Sequence, residues 1–231
     1  MTVSPPATLS IRDLNGDWTI DKSKTENLDG ALKLQGIGWL RRKAVSSGTI
    51  TLKITQTTPA PDTTAAAAAS NGSTGTTEPV KLMMQQGLRG IFPGVEQTRS
   101  LDWTEHEHVD AVSGAAITVQ SRFVDGIRGA DGRRVRPDLA VETAVRKSEV
   151  AEYLGAGVEV VGVGERENGN GHVVERAFVQ DFISGGAEGW TAEQIWAVER
   201  IGEEVRLTCK AVAAKGSAIE KAVLVYQFGE Q

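Results

Sequence analysis

Alternation of apolar and polar residues is the dominant pattern along this chain, and it predicts β-strands. Residues 49–56 read Thr-Ile-Thr-Leu-Lys-Ile-Thr-Gln, which places Ile50, Leu52 and Ile54 on one face of a strand. Similar runs predict further strands at residues 17–21, 80–86, 96–103, 105–114, 116–124, 158–163, 173–182, 190–200, 203–213 and 219–228. About ten sequential strands joined by short turns, with 96–103 and 105–114 as one hairpin, predict an all-β, up-and-down antiparallel barrel without an open edge.

The pattern changes to a helical period between residues 25 and 47. Apolar residues at helical spacing include Leu32, two glycines at positions 36 and 38 break the run, and the apolar stripe resumes with Trp39. This predicts two short helices between the first two strands. We expect this helix-turn-helix to form a lid over one end of the barrel.

Three stretches lack the strand pattern and set the domain organisation. Residues 1–13 contain two prolines and little periodicity, which predicts a flexible arm. Residues 57–79 are Thr, Pro, Ala, Ser and Gly with almost no large apolar side chain, which predicts a disordered insertion. Residues 126–157 are a basic turn followed by one extra helix at 139–154, and we interpret them as a loop–helix insertion. Residues 14–231 are then a single β-barrel domain.

Composition narrows the classes of partner. The 231 residues carry a net charge of −5, which argues against nucleic-acid binding because phosphate recognition needs a concentrated basic face. The single cysteine, Cys209, cannot form an internal disulfide, and this favours a reducing compartment. No basic-then-apolar leader is present, and no window reaches the roughly 20 apolar residues that span a bilayer. We expect a cytoplasmic monomer.

Candidate catalytic and metal-binding residues are few. His106 and His108 lie two residues apart on a predicted strand, so their imidazoles share a face. A zinc site needs three or four ligands, and no third partner is visible, so we interpret this face as exposed and polar and predict neither metal nor cofactor. No phosphate-binding loop or nucleophile elbow is present, and no motif establishes a catalytic reaction.

Two regions of the chain carry a family resemblance. A Gly-x-Trp strand ending in Trp18, a Leu-Gln-Gly-Ile-Gly-Trp-Leu-Arg-Arg-Lys-Ala-Val segment at 34–45 and the following strand lie within residues 14–56. This stretch resembles the opening of the intracellular lipid-binding proteins, the fatty-acid-binding-protein family of the calycin superfamily. The last strands, through Tyr226, fit more loosely. The resemblance implies a ten-stranded barrel with a helical lid over a cavity for a small apolar ligand.

The resemblance also implies where a ligand binds. Members of the family hold a ligand carboxylate with an Arg-x-Tyr pair on the last strand and a second arginine on an earlier strand. In this chain Tyr226 matches, but Leu224 stands at the first arginine position and the second falls near Ala197. Because leucine cannot replace a bidentate guanidinium, we expect a ligand held without the usual clamp. The predicted ligand-binding residues are Tyr226, Leu224, Trp39, Trp196 and Leu32.

These patterns predict that the chain binds a small hydrophobic, lipid-like molecule. An alternative is a calycin-fold isomerase or cyclase acting on an apolar metabolite, with its site built by the insertion at 126–157 and with Tyr226 or a histidine acting. A third is an interaction module whose basic loop, residues 126–137, binds an acidic partner. Under the resemblance, Arg41, Arg42 and Lys43 make a transient contact with an anionic membrane or a donor protein.

Overall fold

Twelve strands and three α-helices make up the part of the chain that this computed structural model describes, residues 9–58, 79–168 and 171–229. The strands are β1 (Gly16–Ile20), β2 (Ile50–Thr57), β3 (Lys81–Leu88), β4 (Phe92–Ser100), β5 (His106–Val109), β6 (Ala116–Arg128), β7 (Val135–Pro137), β8 (Glu165–Asn168), β9 (Gly171–Ser184), β10 (Trp190–Ile201), β11 (Glu204–Lys215) and β12 (Ala218–Phe228). The helices are α1 (Leu28–Leu34), α2 (Trp39–Ser47) and α3 (Lys147–Leu154), with a 3-10 turn at Gly186–Glu188. Most of the predicted disordered insertion lies outside the described residues.

All strand pairs are antiparallel and belong to one curled sheet. Ten strands follow one another in the order β4-β3-β2-β1-β12-β11-β10-β9-β6-β5, while β7 pairs with β6 and β8 pairs with β9. Neighbours in the sheet are neighbours in the chain except at the β1–β12 junction and around the two short added strands. This confirms the prediction of an all-β, up-and-down barrel with a helical pair and one further helix.

The two ends of this strand order approach each other without a ladder. Among the described residues β4 and β5 share no backbone pairing, although the Gln97 side chain donates to the Val109 carbonyl oxygen at 2.8 Å. The predicted hairpin between residues 96–103 and 105–114 is therefore wrong. The connecting residues bond to β6 instead, since the Trp103 N–H donates to the Ser121 carbonyl oxygen at 2.8 Å. The barrel consequently keeps a seam between β4 and β5.

The pairing register of the strands determines which side chains face the interior of the barrel. Residues paired across an antiparallel ladder point to the same face, and side chains alternate along each strand. Trp18 pairs with Leu52 on one side and Phe228 on the other, and the alternation places Leu52 and Ile54 inward, where both are buried. The predicted alternation in β2 is confirmed. The same face carries Tyr226, which is fully buried in the same core.

The segment leading into β1 is packed. Leu9, Ile11 and Leu14 are buried in the same core as the inward-facing strand residues. The Leu14 N–H donates to Gln56 Oε1, and the Trp18 indole N–H donates to the Leu14 carbonyl oxygen, both at 3.0 Å. The predicted flexible arm is therefore wrong for residues 9–13, because three apolar side chains in six residues bury themselves at this end of the barrel. Residues 1–8 lie outside the described part of the chain.

The predicted helical pair lies between β1 and β2. After α1, Gly36 has φ of +84°, a left-handed conformation that glycine adopts without strain, and the Ile37 N–H donates back to the Leu32 carbonyl oxygen at 3.0 Å. Ile37 itself is buried, so the turn between the helices is anchored in the core. The glycine interruption in the sequence therefore marks the end of α1.

The insertion at residues 126–157 forms a second layer outside the barrel. Ile195, Ala197 and Val212, which alternation turns outward, are buried in a second core with Val150 and Leu154 of α3. A sheet that is covered on its inner and outer faces explains why β10 and β11 are buried along almost their whole length. The insertion thus stabilises the β9–β11 side of the barrel.

Two sequence predictions near this layer are wrong in extent. The helix predicted at 139–154 is limited to Lys147–Leu154, because the backbone N–H groups of Glu142 and Thr143 bond to the buried Glu193 carboxylate, the latter at 2.9 Å. Residues 158–163 form isolated bridges rather than the predicted strand, with Val158 opposite Val135 and a second bridge from Val160 to Glu199.

The second core gives a stability prediction. Leu154→Ala should lower the free energy of unfolding by about 2–5 kcal/mol, because it leaves a cavity under a fully buried side chain. Leu40→Ala makes the same chemical change on a leucine that is 74% exposed and should stay within about 0.5 kcal/mol of wild type. Urea unfolding monitored by circular dichroism measures both. Equal effects of the two substitutions would contradict a packed second core.

Candidate ligand-binding cavity

An interior cavity of about 120 Å³ lies within the curled sheet beneath α1. Its wall is mostly apolar, with contributions from α1 and from strands on both sides of the barrel, including Leu28, Leu32, Leu52, Met84, Ile117 and Trp196. One water needs roughly 10–15 Å³ on a comparable measure, so the cavity has room for several carbon atoms. A concave interior space that combines apolar and polar side chains has the character of a small-molecule site.

Helix α1 closes the cavity and is held firmly on β12. A bridge joins Glu26 to Val223 ahead of the helix, and the Asn27 side-chain amide donates to the Lys221 carbonyl oxygen at 2.9 Å. Ala31 packs against small side chains of β11 and β12, so the helix lies close to the sheet. These contacts orient Leu32 toward the cavity, where the sequence placed it.

Helix α2 does not contribute to the described cavity wall. Trp39 and Leu40 are 68% and 74% exposed, and neither borders the cavity. The expectation that Trp39 lines the interior is therefore wrong: it is the first residue of α2, whose buried side chain is Val45 in the last turns. Of the two lid helices, only α1 contributes side chains to the described cavity wall.

The basic triplet of α2 is partly engaged within the molecule. The Arg41 guanidinium donates to the carbonyl oxygens of Val112, at 3.2 Å, and of Ser113. Arg42 pairs with Asp29 of α1 at 3.0 Å. Arg41 thus ties α2 to the turn between β5 and β6, and Val112 of that turn borders the cavity.

Three of the predicted binding residues on the strands meet in the cavity wall. Trp196, Leu224 and Tyr226 all border it, and the Trp196 and Tyr226 rings stack with centroids 6.1 Å apart. Burial raises the pKa of the Tyr226 hydroxyl, so the group is a neutral donor at physiological pH. Burial likewise raises the pKa of neighbouring Cys209 well above its ordinary value, which keeps that thiol protonated and unreactive. Ala197 faces outward into the second core.

A buried ion pair beside the cavity was not predicted from the sequence. Arg99 of β4 pairs with Asp181 of β9, which is fully buried. The same carboxylate accepts hydrogen bonds from Ser121 Oγ at 2.6 Å and from the Trp196 indole N–H at 2.8 Å. Three donors around one carboxylate satisfy a charge that would otherwise be costly inside a protein. The pair spans the seam, since β4 and β9 lie on opposite sides of it.

Register explains how these polar side chains come together. Ser121 pairs with Asp181, and Asp181 pairs with Gln194, so all three point inward on adjacent strands. The signal in the sequence is a lone aspartate within the apolar run Ala-Phe-Val-Gln-Asp-Phe-Ile of β9. The alternation of side chains along β9 predicts that Asp181 points inward. Its pairing with Arg99 is seen only in the folded barrel.

Two wall residues carry buried atoms without a hydrogen-bond partner among the described residues. These atoms are Nε of Arg99, a donor, and Oε1 of Gln194, an acceptor. Buried polar atoms are rarely left unpaired, and each therefore calls for an explanation. Both side chains border the cavity, but the two unpaired atoms have almost no accessible surface, so a polar ligand reaches them only when these side chains shift.

The two strand histidines share one face, and that face points inward. His106 pairs with Val119 and His108 with Ile117, both inward residues of β6. The expectation of an exposed polar face is therefore wrong, since both side chains are half-buried. Burial, with smaller contributions from the charges of Arg99 and His106, lowers the pKa of His108. The described residues contain no cluster of three side chains suited to a metal ion.

The predicted insertion site for catalysis lies away from the cavity. No described residue of the insertion at 126–157 borders it, because this segment packs on the outer face of β9–β11. The basic loop is also partly neutralised, with Arg128 paired to Glu165 and Arg133 to Glu159 at 3.0 Å. The insertion therefore acts as structural support in this fold.

Within the described ranges, no helix combines the length and apolar character needed to cross a bilayer.

Comparison with known proteins finds structural likeness and no sequence family. No family model matches the sequence, and no curated protein matches it either. In structure the chain is similar to the fatty-acid-binding protein from Manduca sexta, with 13% identity, a TM-score of 0.46, and coverage of 93% of this chain and 98% of that one.

Two further solved structures are similar. A mutant of the fatty acid transporter REP1-NXSQ has 10% identity and a TM-score of 0.45, over 94% of this chain and 98% of the other. As-p18, an extracellular fatty acid binding protein, has 12% identity and a TM-score of 0.37, over 98% of this chain and 100% of the other. The barrel topology of this chain follows from its own strand order and register.

His108 gives a pH prediction. Its lowered pKa means that the unfolded chain takes up a proton at higher pH than the folded protein does. The stability that neutral His108 contributes is present above the ordinary histidine pKa of 6.5 and is lost as pH falls through the lower folded value. The free energy of unfolding of His108→Gln should therefore fall less than that of wild type between about pH 7.5 and about pH 5.

Wild type measured in parallel at both pH values is the reference, and circular dichroism shows whether His108→Gln is folded at each. Urea titrations at the two pH values measure the difference. An identical fall in His108→Gln and wild type would show that His108 is not the group responsible.

Proposed function

We propose that this chain binds a small hydrophobic, lipid-like molecule inside its barrel. The observation that carries the proposal is the partly open cavity of about 120 Å³, walled by apolar side chains and several polar ones from α1 and from strands on both sides of the seam. Burial of ligand surface drives such binding, at roughly 25 cal/mol for each Å² of apolar surface removed from water. The modest volume favours a short or slender ligand.

Four side chains from the sequence prediction are in position to contact this ligand. Leu32 and Leu224 offer apolar surface, Trp196 offers an indole face, and Tyr226 offers a neutral hydroxyl at the wall. Leu224 stands where an arginine would be needed for a carboxylate clamp on β12. We therefore propose that the ligand is held by apolar contact and by polar groups elsewhere in the cavity.

Access to the cavity is proposed to involve the lid. Arg41 joins α2 to the β5–β6 turn, and that turn borders the cavity through Val112. Trp39 and Leu40 are exposed and directly precede Arg41 in α2, and Lys43 of the same helix is also exposed. An apolar pair flanked by cations suits transient contact with an anionic membrane, which we propose as the place where ligand is exchanged.

We also propose a domain organisation, an oligomeric state and a cellular location that fit this role. A single barrel domain over residues 14–231 provides one binding site. A monomer in the cytoplasm is consistent with one buried thiol, Cys209, and with the acidic net charge of −5.

Filling the cavity should abolish binding without unfolding the barrel. Ala211 borders the cavity on β11, and Ala211→Phe places a ring in that space. We expect wild type to take up the neutral dye Nile red with a fluorescence increase, and the variant to lose at least about tenfold in affinity because its ligand volume is occupied. Native mass spectrometry of the purified wild-type protein should also show a co-purified apolar molecule.

Ala218→Phe is the matched control, since Ala218 is exposed at the start of β12 and does not border the cavity. Circular dichroism and thermal unfolding establish that both variants remain folded. Wild-type protein that neither takes up the dye nor carries a co-purified molecule would refute the proposed function, as would equal uptake by all three proteins.

A further inference from the structure

The charged groups of the described cavity wall leave no free positive charge. Arg99 reaches the cavity wall, and its charge is compensated by Asp181, which in turn accepts bonds from Ser121 and Trp196. The other charged side chain in the wall is Asp110, whose carboxylate accepts bonds from its own turn, including the Val112 N–H at 3.2 Å. The described wall therefore offers no uncompensated positive charge.

A ligand carboxylate would disturb this balance. It would place a second anion near Asp181 and compete for a guanidinium that is already paired. Leaving either buried carboxylate without its counter-charge carries a large desolvation cost. A neutral polar group carries no such cost, because it adds no charge to the interior.

Two unpaired atoms suit a neutral head group. Nε–H of Arg99 lacks an acceptor among the described residues, and Oε1 of Gln194 lacks a donor. Gln194 is the cross-strand neighbour of Asp181, so it faces the same interior region as the ion pair. A hydroxyl group can accept a hydrogen bond from Arg99 or donate one to Gln194, and a carbonyl oxygen can accept one from Arg99.

From this arrangement we infer that the buried Arg99–Asp181 pair, with Gln194, is the head-group site of the cavity and takes a neutral hydroxyl or carbonyl group in preference to a carboxylate. This inference rests on the proposed function and specifies its ligand class: slender apolar molecules with a neutral polar end.

Isothermal titration calorimetry with 1-octanol and octanoate tests the preference at a pH where octanoate is ionised. Wild type should bind 1-octanol about tenfold or more tightly than octanoate, because only the acid adds an uncompensated buried charge. In Asp181→Asn the amide keeps an acceptor oxygen, but Arg99 loses its counter-charge. The order should then reverse, with octanoate bound more tightly than 1-octanol.

Glu193→Gln is the matched control. Glu193 is a fully buried carboxylate on β10, but it faces the outer layer and bonds to Thr143 there. This variant should keep the wild-type preference for 1-octanol. In a second variant, Arg99→Met/Asp181→Leu, apolar side chains replace the pair, so that folding does not depend on a single unpaired charge. It should lose about tenfold in 1-octanol affinity while still taking up Nile red.

The possible failures are distinguishable. Wild-type protein that takes up Nile red but binds octanoate as well as or better than 1-octanol would overturn the head-group inference and leave the barrel's binding function standing. A preference for 1-octanol that persists in folded Asp181→Asn, or an unchanged 1-octanol affinity in the double variant if Asp181→Asn does not fold, would show that the ion pair does not hold the head group. Wild-type protein that binds no ligand and no dye would overturn both.

Discussion

The alternation of side-chain direction along the strands, interrupted by register shifts at Gln86/Leu88 and Val124/Gly126, is the constraint on which this structure depends. Because paired residues across a ladder share a face, one inward residue on β1 fixes the inward set on every neighbouring strand. The succession of ladders carries Trp18, Leu52, Tyr226 and Trp196 into one interior. A slip of one residue in any ladder would turn apolar side chains outward. The core, the cavity and the outer layer all follow from this register.

The interior also contains the Arg99–Asp181 ion pair, which separates a charged region at the seam from the more apolar region beneath α1. Arg99 and Asp181 join the strands on the two sides of the seam, where no backbone ladder connects β4 to β5. The rest of the wall is largely apolar and is closed by α1. A neutralised charge pair beside the apolar part of the wall gives a ligand both a place for its chain and a fixed orientation. Apolar burial then supplies affinity, and the polar centre supplies selectivity.

Local patterns in the sequence predicted much of this fold. The alternation in β2 and the two helices separated by Gly36 follow from residue order and spacing, while the position of Tyr226 at the cavity was implied by the family resemblance. The pairing of β4 with β5 was mispredicted because strand partners depend on where the connecting turn bonds, and Trp103 bonds to β6. The Arg99–Asp181 pair joins residues 82 positions apart, and no local pattern specifies such a contact. Trp39 was misplaced because its direction depends on which side of α2 faces the sheet.

A crystal structure of the protein with 1-octanol tests the central claim most directly. The account predicts electron density for the ligand inside the barrel, with its chain along Leu32 and Trp196 and its hydroxyl within hydrogen-bonding distance of Arg99 Nε and Gln194 Oε1. The Arg99–Asp181 pair should remain intact in the complex. Density for the ligand on the outer surface alone, or a hydroxyl bound away from Arg99 with the pair broken, would contradict it.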